Sequence, residues 1–201
     1  AGYPWFKCRA RDTFISLPGL TLAIDEQDYF ELVMKTAERG LREFMAGKPL
    51  TVKIYEMEHP DVLLWAVWTL QQYAKKTSVK QCWDEYGQLL QDIIEYIRHD
   101  KHENLFLHDN ALLFTNGKDK AVTWMNSEAN GRPVVPRTGY VVEINALWYN
   151  ALRFVSELCH VGGNEDMSET LNDLAQRCQL SFVGKFLNEY GWLYDYVDGD
   201  T

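Results

Sequence analysis

The residues best suited to chemistry collect in one stretch of the chain, from Val122 to Tyr149. The stretch combines pairs of acids, arginines, tryptophans and prolines: Glu128, Glu143, Arg132, Arg137, Trp124, Trp148, Pro133 and Pro136. Before Val141 it shows no helical period. Its prolines fix φ near about −65° and favour an extended conformation at the residue before each of them. The pattern predicts an ordered loop that carries polar groups, and such loops often carry function.

Composition and charge narrow the classes of function. The chain has 201 residues, of which 46% are apolar and 13% aromatic, which is enough for a sizeable core and argues against disorder. The net charge of −9 argues against a nucleic-acid or anionic-membrane surface, because both need clustered Lys and Arg. No stretch reaches the ~18 consecutive apolar residues that a membrane span needs.

The cysteines and histidines show no metal-site pattern. No CxxC pair occurs, and the spacing favours scattered reduced thiols in a cytoplasmic protein over disulfides or zinc; the cysteines are Cys8, Cys82, Cys159 and Cys178. His99 and His102 are three residues apart, but no further ligand follows at metal spacing. The sequence therefore predicts no metal site.

Hydrophobic periodicity predicts six helices around this loop. The first is a buried helix over residues 13–24, bent or broken at Pro18-Gly19. The others are predicted at residues 27–46, 61–75, 79–98, 141–160 and 167–188. Residues 99–140 lack this period and favour a small β-hairpin, with strands near 105–107 and 111–114. Turns are predicted at Asp109-Asn110 and at Asn116-Gly117. The fold class is all-α, with helices in antiparallel pairs.

Three motifs, in the same order along the chain, resemble those of one family. They are the opening AGYPWF followed by Arg11-Asp12-Thr13, the run DVLLWAVWTLQQY at residues 61–73, and Thr123-Trp124-Met125-Asn126 with Pro136-Arg137-Thr138-Gly139 and VEINALWYNAL at residues 142–152. Together they look like the amylo-α-1,6-glucosidase domain of glycogen debranching enzymes. An Arg-Asp pair alone would mean nothing, whereas the VEINALWYNAL run is specific.

The resemblance implies a fold as well as an activity. The family's domain is an (α/α)6 toroid, in which six helical hairpins surround a pit with the active site at one end. Three hairpins make half of it, so residues 1–201 are expected to be a single piece of that domain. A half toroid leaves an apolar face open, which predicts self-association or a missing partner segment.

The chemistry implied is inverting hydrolysis of α-1,6 branch points in glycogen or a related α-glucan, which releases glucose and needs no cofactor. Two carboxyl groups are required, one to donate a proton and one to activate water. The family's general acid would be an aspartate after Thr-Trp-Met, but that position is Asn126, whose amide cannot titrate as a proton donor. Glu128 or Glu143 could serve instead, although Glu128 is more simply explained as a solvated loop acid and Glu143 is equally explained as an acid at a helix start. The general base is expected beyond residue 201, so this chain alone is expected to be inactive.

Binding residues are also implied. Arg11 and Asp12 are expected to hydrogen bond the terminal glucose, although the pair also suits a structural role at a helix start. Asp61 is expected near the sugar. Arg137 is expected either to bind sugar hydroxyls or to brace the loop carboxylates.

Tryptophans could offer flat faces to a glucose ring. Trp5 and Trp124 lie in loops and are expected to do so, whereas Trp65 and Trp148 are equally consistent with the core. Two other interpretations stay open, a non-catalytic glucan-binding protein with a degenerate site and another α/α-toroid glucosidase.

Asp12→Ala tests whether the predicted sugar contact exists. If the carboxylate binds glucose hydroxyls, dextrin affinity should fall about tenfold or more, because hydrogen bonds to a charged group contribute about 1.5–3 kcal/mol. Affinity would be measured by calorimetry and folding by circular dichroism. Unchanged dextrin binding would favour a purely structural helical array.

Overall fold

The structure, a computed structural model, describes residues 5–198. Within these residues the fold is built from six α-helices. They are α1 (Ala10–Leu20), α2 (Gln27–Met45), α3 (Val62–Lys76), α4 (Val79–Arg98), α5 (Val142–Val161) and α6 (Glu165–Phe186), with a short 3₁₀ turn at Leu22–Ile24 after α1. The predicted all-α class is confirmed, and the bounds of α4 agree with the prediction. The amphipathic stripe of α4 is buried, and the Ser78 side chain caps its first turn by accepting from Gln81 N at 3.0 Å.

Helix α1 is the element whose bounds differ most from the prediction. It begins at Ala10 and continues through Pro18 to Leu20. A proline removes the hydrogen bond to the carbonyl four residues earlier, here that of Phe14. The hydroxyl of Thr69 on α3 donates to Phe14 O at 2.7 Å. The helix passes through Pro18 because its neighbour satisfies the carbonyl that the proline leaves open.

The helices form two layers. Helices α1, α3 and α5 pack against one another in that order, and α2, α4 and α6 cover them. Short connections make α3 and α4, and likewise α5 and α6, antiparallel neighbours. A parallel bridge between Arg9 and Tyr55 joins the segments that lead into α1 and α3. This bridge therefore places the starts of α1 and α3 side by side.

The long segment between α4 and α5 contains most of the strands. A four-stranded antiparallel sheet has the order β1-β2-β5-β6, and a separate hairpin pairs β3 with β4. The strands are β1 (Phe106–Leu107), β2 (Leu113–Thr115), β3 (Glu128–Ala129), β4 (Arg132–Pro133), β5 (Gly139–Val141) and β6 (Tyr196–Val197). The predicted hairpin is confirmed as β1 and β2.

The turn predicted at Asp109-Asn110 is confirmed, whereas the prediction of a turn at Asn116-Gly117 is wrong. The β1–β2 hairpin turns at Asp109-Asn110, where His108 N donates to Leu112 O at 3.0 Å. Gly117 serves a different purpose, because a Cβ at this position would lie 2.3 Å from the carbonyl oxygen of Arg137. The glycine allows two backbone segments to approach closely.

Apolar side chains are exposed on both outer edges of the helical layers. One edge, at α1 and α2, exposes Leu20, Ile24, Tyr29 and Leu32, and the other, along α6, exposes Leu180, Val183 and Leu187. In a toroid these are the edges where further hairpins would pack. Self-association through them stays a prediction. No helix within residues 5–198 is long and apolar enough to cross a membrane.

Gly139→Ala should destabilise the fold strongly. Gly139 has φ +123°, and a Cβ there would lie 2.2 Å from Val197 O on β6. Strain and the clash together should lower the free energy of unfolding by about 3 kcal/mol, as measured by urea denaturation. Gly184→Ala is the matched control, because a Cβ added at this exposed position of α6 would meet no atom within 4 Å, and the variant should gain up to about 1 kcal/mol. Equal stability of the two variants would contradict the role of Gly139.

Candidate active site

A cleft, referred to below as the pit, opens where the three inner helices begin. Its volume is about 780 Å³, within the range of small-molecule sites. It is lined by residues from the segments that precede α1, α3 and α5: Arg9, Glu56, Glu58, His59, Pro60, Glu103, Asn104, Phe106, Asn116, Asp119, Lys120, Ala121, Asn126 and Glu128. Segments distant in sequence therefore meet at one end of the helical layers.

Backbone pairing holds the first two of these segments together. Tyr55 N donates to Cys8 O at 2.8 Å, and Ala10 N donates to Tyr55 O at 2.9 Å. A shallower depression of about 430 Å³ adjoins the pit and shares Arg9, Glu56 and Glu58 with it. Trp5 lines this depression and is 81% exposed. The first four residues of the AGYPWF motif lie outside the described residues.

The loop of the predicted site brings two of its residues into the pit wall. Asn126 is half-buried and Glu128 is exposed, and both line the pit. Glu128 lies on β3, whose hairpin with β4 turns at Asn130 (φ 54°) and Gly131 (φ 72°). Asn-Gly is the preferred dipeptide of such two-residue turns, and this signal in the sequence could have predicted the hairpin.

The pit is rich in carboxylates. Among the described residues, Arg9 pairs with Glu56 at 3.2 Å and Lys120 lies 3.8 Å from Glu103. The other acids in the lining, Glu58, Asp119 and Glu128, take part in no ion pair with the described residues. Carboxylates accept hydrogen bonds from hydroxyl groups, so the wall suits a neutral ligand rich in hydroxyls and disfavours an anionic one.

Arg11 and Asp61 form a buried ion pair beneath the pit. They are 5% and 1% exposed, and Arg11 donates from Nε to Asp61 Oδ2 at 2.7 Å and from Nη2 to Asp61 Oδ1 at 2.9 Å. Trp65 Nε1 also donates to Asp61 Oδ2 at 3.2 Å. These hydrogen bonds give both side chains a structural role. The sugar contacts predicted for Arg11 and Asp61 stay predictions. Asp12 is exposed and is not part of the pit lining.

His59 is a pit residue that the sequence analysis missed. Its Nδ1 lies 2.9 Å from Arg11 Nη2, although the two residues are 48 apart in sequence. Burial and the positive charge of Arg11 hold the pKa of His59 below its usual value, while nearby carboxylates act in the opposite direction. No local spacing marks this histidine, because it lies in the loop before α3 and the residue that orients it lies on α1.

Arg137 braces the loop, as one of the two alternatives predicted. It is 2% exposed and donates to both carboxylate oxygens of Glu143 at 2.6 Å, to Thr123 Oγ1 at 3.0 Å and to Asp195 Oδ1 at 2.8 Å. Thr123 precedes Trp124, whose ring is 63% exposed outside the pit lining. Arg137 thus joins the start of the site loop, the first turn of α5 and the segment before β6.

The pairing with Arg137 lowers the pKa of Glu143 and so affects its ability to donate a proton. Burial alone would raise the pKa of Glu143, but the hydrogen bonds and charge of Arg137 outweigh it and leave the pKa below its usual value. A carboxyl group with a lowered pKa is a poor proton donor at neutral pH. Of the two acids, Glu128 lines the pit and Glu143 does not.

Comparison with known proteins assigns the chain to a family. The profile of the family described as amylo-alpha-1,6-glucosidase matches residues 1–201. The chain belongs to the amylo-α-1,6-glucosidase family. No curated protein and no solved structure gave a match. Membership confirms the resemblance carried by the three motifs and supports a glycoside-hydrolase-type domain of the glycogen debranching enzymes. In this family member, the described residues include no group of three or more His, Cys, Asp or Glu that could hold a metal ion.

Glu143→Gln should destabilise the domain and change its acid sensitivity. Loss of the charge leaves buried Arg137 short of a partner, and the free energy of unfolding should fall by about 2–3 kcal/mol at pH 7. The folded pKa of Glu143 is lowered, so its contribution is present above the unfolded value of about 4.3 and is lost as pH falls through the folded pKa.

Urea denaturation at pH 7 and in steps below pH 4 measures this difference. The gap between wild type and Glu143→Gln should narrow as the pH falls. Glu157→Gln, an exposed acid on the same helix, is the control and should change stability little at any pH. A gap that does not depend on pH would contradict the ionic role of Glu143.

Proposed function

We propose that this chain forms part of the active-site pit of a debranching glucosidase. The parent protein would hydrolyse α-1,6 branch points of glycogen or a related α-glucan and release glucose with inversion. The observation that carries the proposal is the joint placement of Asn126 and Glu128 in the wall of the pit, in a chain whose whole length matches the family. Asn126 occupies the position at which the resemblance implies a general acid.

The surroundings of the pit support a sugar ligand. Its unpaired carboxylates can accept hydrogen bonds from glucose hydroxyls. Trp5, in the adjoining depression, could stack on a second glucose unit of the chain. We propose that Glu128 donates the proton to the leaving oxygen, since Asn126 cannot and Glu143 is held ionised by Arg137. The chemistry needs proton transfer and water, and no cofactor.

The cellular compartment follows from the same proposal. The substrate would be a storage glucan, and the four cysteines are all free, three of them buried. Free thiols suit a reducing compartment. We place the protein in the cytoplasm on this basis.

Glucose release from a limit dextrin by the parent protein, with Asn126 unchanged, tests the proposed activity. Glu128→Gln should lower the rate at least ~100-fold, because a positioned general acid contributes about 10²–10⁴, while dextrin affinity should stay within about threefold. Glu169→Gln, an exposed acid on α6, should leave the rate unchanged. Preference for α-1,6 over α-1,4 linkages would separate a debranching enzyme from another toroid glucosidase. Release that is insensitive to Glu128→Gln would remove Glu128 as the proton donor.

A second function is favoured by one residue. The amide at Asn126 is what a glucan-binding protein with a degenerate site would carry. Such a protein would bind dextrin and release no glucose. Asn126→Asp would then test whether the missing carboxyl group is the cause, since it restores the group that the family resemblance implies. Glucose release gained by that substitution would favour the binding function for the natural chain.

A further inference from the structure

The buried ion pair of Arg11 and Asp61 determines the orientation and the tautomer of His59. Arg11 is fixed by two hydrogen bonds to Asp61, and its Nη2 lies 2.9 Å from Nδ1 of His59. A guanidinium group is always protonated and only donates. Nδ1 must therefore accept this hydrogen bond, and a neutral imidazole then carries its proton on Nε2.

The neutral form is the one expected at neutral pH. Burial and Arg11 lower the pKa of His59, and Glu56, Asp61 and Glu58 oppose this only in part. The side chain is half-buried and lines the pit. None of the described residues accepts a hydrogen bond from Nε2. The ring therefore presents one fixed N–H donor on the side away from Arg11, at the wall of the pit.

This donor complements its surroundings. Five lining side chains are carboxylates, which only accept, and two of them, Glu56 and Glu58, act on the charge of His59. The other side-chain donors of the wall are Arg9 and Lys120, which lie against carboxylates, and the amides of three asparagines. A sugar hydroxyl donates one hydrogen bond and accepts others, so it needs donors as well as carboxylates. The Nε2–H of His59 adds a donor near Glu56 and Glu58 without adding a cation that would neutralise them.

We propose that His59 is a sugar-binding residue, which donates its Nε2–H to a hydroxyl oxygen of the glucose unit in the pit. The inference rests on the proposed function for the class of ligand, and adds to it a contact that the motif resemblance does not include. In this arrangement Arg11 and Asp61 are positioning residues, because they hold the imidazole in one tautomer and orientation. Loss of the N–H should weaken sugar binding about three- to tenfold, the effect of one neutral hydrogen bond.

Two substitutions test the roles of the two ring nitrogen atoms of His59 separately. His59→Asn keeps an acceptor near Nδ1 for Arg11 and removes the donor at Nε2. His59→Gln places an amide N–H near the position of Nε2. Isomaltose and glucose are the probes, and their affinity for the parent protein and for the parent that carries each substitution would be measured by calorimetry. We expect His59→Asn to bind about three- to tenfold more weakly, and His59→Gln to stay within about threefold of wild type.

The outcomes distinguish this inference from the proposed function. If the wild type binds isomaltose and His59→Asn binds it equally well, the contact is wrong and the glucosidase proposal is unaffected. If the wild type binds neither sugar, both proposals fail. NMR of the imidazole nitrogens gives a test that does not depend on binding or on either variant folding. Protonation at Nδ1 in the neutral ring would overturn the inference, and protonation at Nε2 would support it.

Singly deoxygenated glucoses show whether the contact is direct. One of them should bind the wild type more weakly than glucose does and should lose nothing further in His59→Asn, because the same hydrogen bond is already absent. If each analogue loses the same affinity in both proteins, His59 touches no hydroxyl and the proposal is overturned.

Discussion

The ion pair between Arg11 and Asp61 is the constraint on which the site depends. It joins the first turn of α1 to the residue before α3, almost completely away from solvent. Such a pair is weak evidence for stability, because desolvation of both charges offsets most of their attraction. Its value lies in geometry. Two parallel hydrogen bonds fix the guanidinium plane, and that plane determines how the imidazole of His59 is oriented.

A second buried arginine braces the loop that carries Asn126 and Glu128. Arg137 holds the site loop to α5 through Glu143 and to the segment of Asp195 through a further carboxylate. One arginine therefore joins α1 to the start of α3, and the other joins the site loop to α5.

The helices were the part of the fold that the sequence predicted best, because an apolar stripe is a local signal. The start of α1 was missed by three residues, since the burial of Ala10 and Arg11 depends on α3. Strand β6 was not predicted because its only partner among the described strands is β5, more than fifty residues earlier. Motif resemblance indicated Asn126 and Glu128, which line the pit, but His59 depends on a contact between α1 and the loop before α3 that no local pattern contains.

The hydroxyl of Thr69 has a consequence for how α1 and α3 can align. It lies between the carbonyls of Phe14 and Trp65, at 2.7 and 2.8 Å, and only one axial alignment of the helices brings it to the carbonyl freed by Pro18. A slip of one turn would move α1 by about 5.4 Å. The carbonyl of Phe14 would then be buried without a hydrogen-bond donor, and Arg11 would be separated from Asp61. The proline that interrupts the hydrogen bonding of α1 thus restricts how α1 aligns with α3, and the same alignment brings Arg11 to Asp61.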